Sequence, residues 1–108
     1  MAGMPKERPD GLPRLHVTFR AKAELTDDEI QKAVQSHTLG EWGDVTEACR
    51  NANEANLDRD AGRLVSGHWS KSRLRYYVIT DLGRELTTIV FADEVELDDD
   101  GLVRWADR

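Results

Sequence analysis

The stretch Ser36-His37-Thr38-Leu39-Gly40-Glu41-Trp42-Gly43-Asp44-Val45 brings an imidazole, two carboxylates and an indole into one short connection. His37 and Glu41 stand four apart with Asp44 close behind, a spacing that would share a face if one helix ran through all three. Gly40 interrupts that helix, and no second histidine lies near in sequence. A typical zinc site takes three or four ligands. The expectation is therefore a histidine that bonds the backbone of the turn and fixes its shape, with no metal. Asp98-Asp99-Asp100-Gly101 has the look of a calcium loop. That loop wants glycine in sixth place, and here it falls fourth, so an acidic turn is expected.

Nucleophilic chemistry has little to work with. Cys49 lies on an apolar helical stripe, where a thiol behaves as a small inert hydrophobe. No serine sits in a nucleophile elbow. Gly40-Glu41-Trp42-Gly43 follows no strand and carries no lysine, so it is not a phosphate loop. No catalytic residue, enzyme activity or cofactor is expected.

Binding is better supplied. Trp42, Trp69 and Trp105 are few enough, in a chain with so small an aromatic share, that one or two should stay partly exposed and serve as anchors. Glu41 and Asp44 flank Trp42. Asp93, Glu94, Glu96, Asp98, Asp99 and Asp100 form a strongly acidic run that could face a basic protein or imitate a nucleic-acid backbone. Against these stand Lys71, Arg73, Arg75 and Arg84, interleaved with Trp69, Tyr76 and Tyr77. Cations and aromatics on a sheet can hold a single strand by stacking and phosphate contact. The formal charge of -6 disfavours a protein living on phosphate contacts.

The 108 residues suit one domain. A third of them are charged, yet periodic apolar segments mark the chain as globular. One cysteine excludes an internal disulfide and fits a reducing compartment. With no apolar run long enough for a signal peptide or a span, a cytoplasmic protein without a membrane partner is expected.

Elements able to position these residues follow from periodicity. Residues 1–13, with three prolines and two glycines, read as a leader. Arg14 to Arg20 alternates as a strand with Leu15, Val17 and Phe19 on one face. Thr26 and Glu29 form a capping box, with Leu25 and Ile30 as the staple, for a helix whose stripe is Ile30, Ala33, Val34 and His37 and which ends at Gly40. A second helix should start at Asp44, bury Val45, Ala48, Cys49, Ala52 and Ala55, and end near Leu57 and Gly62. Strands are expected over 63–69, 74–80 and 86–92, joined by hairpin turns. The globular part is then 14–92, and the acidic segment 93–108 could close as a small hairpin across Asp100-Gly101. The order β-α-α-β-β-β is an α+β layout with two helices on one face of an antiparallel sheet.

Several of these residues form a pattern. His37, Gly40, Glu41, Trp42, Gly43 and Asp44 are followed by Asn51 and Asn53 in a helix. Arg63, Leu64 and Ser66 come next, then Tyr77-Val78-Ile79-Thr80, then Arg84 and Thr87-Thr88-Ile89. In this the chain resembles a family of small bacterial proteins carried on plasmids, phages and integrated elements. The likeness covers about residues 36–90. The turn Asp81-Leu82-Gly83-Arg84-Glu85 departs from the family's usual acid-x-Asp-Arg-Ser. The resemblance implies an accessory protein of a mobile genetic element. Such proteins are often inhibitors of host defence, anti-CRISPR proteins among them, and the expected partner is a host protein with a basic surface. A looser, topological resemblance is to the RelE and ParE toxins, ribonucleases or gyrase poisons, in which Arg73, Arg75, Arg84 and Tyr77 would handle phosphate and protons. A small DNA-binding regulator is the third possibility.

Overall fold

A computed structural model describes residues 14–59, 62–81, 86–97 and 103–105. Its elements run β1 (Arg14–Val17), α1 (Phe19–Glu24), α2 (Asp27–Thr38), α3 (Glu47–Arg59), β2 (Leu64–Trp69), β3 (Arg75–Thr80) and β4 (Leu86–Phe91). A 3-10 turn (Ala92–Glu94) leads to β5 (Val95–Leu97) and β6 (Val103–Trp105). The main sheet has the order β1-β4-β3-β2, and β5 pairs with β6 in a separate ribbon. The expected α+β class is found, and the order β-α-α-β-β-β is matched apart from one additional short helix, α1. The sheet is mixed, because β1 runs parallel to β4 while β2, β3 and β4 are antiparallel.

The α2 boundaries follow from its caps. Thr26 Oγ1 accepts the Glu29 N–H at 3.1 Å, and Glu29 Oε1 accepts the Thr26 N–H at 2.9 Å. That is the capping box read from the sequence. Ala33, Val34 and His37 are buried along its inner stripe.

Two local expectations fail for identifiable reasons. The first strand stops at Val17, because Thr18 caps a new helix and its hydroxyl accepts the Ala21 N–H at 3.2 Å. Phe19 therefore opens α1, 91% exposed, instead of continuing the strand's inner face. The α3 helix begins at Glu47 rather than Asp44, because Thr46 supplies the cap, its hydroxyl accepting the Cys49 N–H at 3.0 Å. On α3, Cys49 and Asn53 are buried, whereas Ala48 and Ala55, expected in the stripe, are exposed.

Alternation sorts the core into two sides. One carries the cross-strand rows Ser66–Val78–Ile89 and His68–Tyr76–Phe91. Ala21 of α1, Leu25 at its C-cap and Ala33 and Val34 of α2 pack on it, so the two helices sharing a face are α1 and α2. On the other side Val65, Tyr77, Ile79 and Val90 pack against Cys49 of α3 and against Val95. No helix among the described residues is long and apolar enough to cross a membrane.

Candidate functional site

The connection between α2 and α3 is where the polar motif meets the sheet. Gly40 and Gly43 both take positive φ, 80° and 71°. They turn the chain so that residues 42–44 lie beside β2. The Gly67 N–H donates to the Trp42 carbonyl and the Asp44 N–H to the Gly67 carbonyl, each at 2.9 Å. The backbones come so close that a Cβ on Gly67 would stand 2.3 Å from the Asp44 carbonyl oxygen. Glycine at both 43 and 67 is what this approach requires.

Farther along β2 the same edge is closed by side chains. Asn53 Nδ2 donates to the Val65 carbonyl at 2.7 Å, and the Val65 N–H donates to Asn53 Oδ1 at 2.9 Å. Asn56 Nδ2 donates to the Arg63 carbonyl at 2.8 Å. An exposed edge would present these groups to other chains, and here they are satisfied within the molecule.

Within this frame each motif residue has a defined place. His37 is buried, its ring nitrogens 2.8 Å from Ser66 Oγ and 2.8 Å from Thr80 Oγ1. It therefore anchors α2 to sheet hydroxyls rather than to the turn backbone. Ser66 Oγ also lies 2.8 Å from His68 Nε2, and Thr80 Oγ1 lies 2.9 Å from Thr87 Oγ1. The result is a hydrogen-bonded chain of side chains under α2, running across β2, β3 and β4.

Trp42, expected as an exposed partner contact, is 2% exposed. Its ring meets His37 edge-on at 5.7 Å, and its indole N–H donates to Glu54 at 2.8 Å. The turn folds over it because an aromatic of this size is worth more buried than exposed. Glu41 is exposed beside it.

Asp44 is exposed and its carboxylate accepts the indole N–H of Trp69 at 2.8 Å. The Trp69 ring is 56% exposed. The Arg75 guanidinium lies 5.2 Å from the Tyr77 ring centre and 6.0 Å from that of Trp69, and Nη2 donates to the Asp44 carbonyl. Arg75 Nε is buried without a partner among the described residues. Asp44, Trp69 and Arg75 thus form one corner at the end of β2, locked in place yet presenting an open indole face.

Beside this corner runs an open groove of about 380 Å³, lined in part by Glu29, Lys32, His68, Trp69, Lys71 and Tyr76. His68 stacks on Tyr76 at 5.4 Å. Burial holds its imidazole below the ordinary histidine value. Burial, and then the nearby Glu29 carboxylate, push the Tyr76 phenol up. Glu29 is held low first by the N–H of Thr26 and then by that of Lys71.

The remaining expected contacts divide. Asp93 pairs with Arg20, which itself stacks over Phe91 at 4.9 Å. Glu94 is engaged internally, accepting the Phe91 N–H at 2.8 Å and the Thr18 hydroxyl at 3.1 Å. Through Oε1 it closes the 3-10 turn, and the residue stays half-buried. Glu96 lies on β5. Asp98, Asp99, Asp100, Arg84 and the leader lie outside the described residues. Among the cations, Lys71 and Arg73 are exposed, whereas Tyr76 and Tyr77 are 3% and 8% exposed and offer no stacking platform. Among the described residues, no group of three or more histidines, cysteines and carboxylates is gathered as a metal site would need. Sequence reasoning missed Asn53 and Asn56 as edge groups. The signal was there: two asparagines three apart, both poor helix formers, held inside a helix.

Compared with known protein families, curated proteins and solved structures, the chain finds no significant match.

Proposed function

We propose that this chain is a non-catalytic binding protein that docks on a protein partner through the Trp69 corner. One observation carries the reading: Trp69 is more than half exposed and yet held by its own hydrogen bond to Asp44 and by Arg75. An anchor ordered before binding loses little side-chain freedom on docking, and tryptophan is among the residues that most often dominate an interface. The exposed Glu41 and Asp44 and the net charge of -6 favour a basic partner surface and speed encounter with it. Taken with the resemblance to mobile-element proteins, the partner is a host protein, and the action is to cover its nucleic-acid-binding surface, as an anti-CRISPR inhibitor would.

The toxin reading asks Tyr77 to move protons and Arg75 to hold phosphate. Tyr77 is buried and Arg75 is tied to the Asp44 carbonyl, so both would have to leave their present contacts. The regulator reading rests on Lys71 and Arg73, a small cationic surface against the net charge.

The test is capture of host proteins on the immobilised chain at low salt, beside Trp69→Ala and Asp44→Ala. A partner retained by the wild type, lost with Trp69→Ala and released by added salt supports the reading. No retained partner, or equal retention by a folded Trp69→Ala chain, overturns it. Growth arrest with messenger RNA cleavage on induced expression would favour the toxin instead.

A further inference from the structure

We infer that the groove beside Trp69 is backed by a single-proton switch: His68 takes up one proton from solvent, and the hydrogen-bonded chain behind it, through Ser66, His37, Thr80 and Thr87, then points one way only and keeps the second imidazole neutral. The device is independent of what docks at the Trp69 corner.

Every link in the chain is short. His68 Nε2 and His37 Nδ1 each lie 2.8 Å from the same Ser66 Oγ. His37 Nε2 lies 2.8 Å from Thr80 Oγ1, which is 2.9 Å from Thr87 Oγ1. Ser66, His37, Thr80 and Thr87 are buried, so these groups look to one another for partners. A hydroxyl has one hydrogen and a neutral imidazole one N–H. With one hydrogen in each link, the chain can run in two directions. In the first, His68 Nε2–H donates to Ser66, Ser66 to His37 Nδ1, His37 Nε2–H to Thr80, and Thr80 to Thr87. In the second, every donor becomes an acceptor and the His37 proton sits on Nδ1. The tautomers of the two histidines are therefore coupled.

A charged His68 has hydrogen on both ring nitrogens. Its Nε2–H then donates to Ser66, and only the first direction remains. The balance is one proton. One H⁺ from solvent becomes the second N–H of His68, the hydroxyls turn, and His37 keeps a single N–H, on Nε2. A second proton, on His37, would aim two N–H groups at Ser66 and strand the buried Ser66 hydrogen. Two charged rings sharing one hydroxyl would also repel each other.

The surroundings choose His68 as the member that charges. His37 is 5% exposed, whereas His68 is half-buried and lines the groove, where water can solvate a charge. Its ring stacks on Tyr76, whose π face favours a cation. The burial that remains delays uptake until pH falls below the ordinary histidine value. Glu29 and Lys32 reach the groove from α2, Asp44 from the turn before α3, Lys71 from the β2–β3 turn and Tyr76 from β3. Lys32 is paired with Asp28 at 3.3 Å, and Arg75 is held at the Asp44 carbonyl. The new charge therefore meets the carboxylates of Glu29 and Asp44 and the ammonium of Lys71. It adds one positive charge to the groove, which opposes a basic partner.

The test is a titration of the whole isotope-labelled chain from about pH 8 to pH 5, with the imidazole nitrogens followed by long-range proton–nitrogen NMR. His68 should charge first, and His37 should then show a single N–H, on Nε2. Ser66→Ala removes the acceptor of the charged ring and should lower the His68 midpoint by about half a pH unit or more. The wild-type titration decides the matter whether or not that variant folds. His37 charging before His68, His37 carrying its proton on Nδ1 beside a charged His68, or an unmoved midpoint in a folded Ser66→Ala chain would overturn the inference.

Discussion

The side-chain amide of Asn53 bonds both the N–H and the C=O of Val65, as the backbone of a neighbouring strand would. Both residues are almost fully buried, 1% and 0% exposed. A helix thus completes the ladder of β2 without adding a strand. Replacing Asn53 with Leu keeps the branched shape but leaves a buried donor and a buried acceptor of Val65 unpaired. The expected loss is about 2–4 kcal/mol, from the cost of orphaned polar groups. Urea unfolding followed by circular dichroism measures it, and an unchanged midpoint would mean that Asn53 does not hold the edge.

Trp42 and Trp69 should behave oppositely. Trp42→Ala empties a buried site and orphans its bond to Glu54, so a loss of about 3–5 kcal/mol is expected. Trp69→Ala removes an exposed ring and should change stability by about 1 kcal/mol or less, while weakening partner binding at least about tenfold. Thermal melts and binding titrations on the two variants separate fold from contact.

His68 makes stability depend on pH. Its folded form disfavours the charged imidazole, because burial lowers its affinity for a proton. The unfolded chain then binds the proton more tightly, so stability rises with pH. The contribution is complete above the ordinary histidine value and is lost as pH falls through it toward the lower folded value. Denaturant midpoints taken between about pH 8 and pH 5 should fall on the acid side. His68→Gln should flatten that part of the curve, and an identical slope in the variant would assign it to another group.

Arg73, in the turn between β2 and β3, has φ 68°, a left-handed conformation that costs a side-chain-bearing residue about 1–2 kcal/mol. The Arg73 N–H donates to the Ser70 carbonyl at 2.9 Å, which holds the turn in this shape. Arg73→Gly relieves the strain and adds some unfolded-state freedom, for an expected net gain of about 0.5–1 kcal/mol. Thermal denaturation reads the sign directly. The same variant removes one of the exposed cations that the nucleic-acid readings need, so unchanged retention on heparin would count against those readings.

Much of the scaffold was legible because it is built from local rules. The Thr26–Glu29 box and the Ile30, Ala33, Val34 and His37 stripe announce α2. Alternation announces β3 and β4. Where two local rules compete, the reading slipped. Thr18 could continue a strand or cap a helix, and it caps. Asp44 could cap α3, but its backbone is drawn to Gly67 and its carboxylate to Trp69, leaving Thr46 to cap.

The candidate site was legible only in part. Trp42 and Trp69 are the same residue type, and each stands among polar and glycine residues that do not announce which ring is buried. The difference comes from Glu54, which waits for one indole on α3, and from Asp44, which holds the other at the rim.

Taken alone, the order of residues determined the class of fold, the α2 cap and stripe, the three antiparallel strands and the anionic balance, because these depend on neighbours within a turn or two. Tertiary structure decided that β1 runs parallel to β4, that α3 seals one edge of the sheet, and which tryptophan meets solvent. Those outcomes depend on contacts between residues far apart in the chain, and periodicity, which compares near neighbours, carries no information about them.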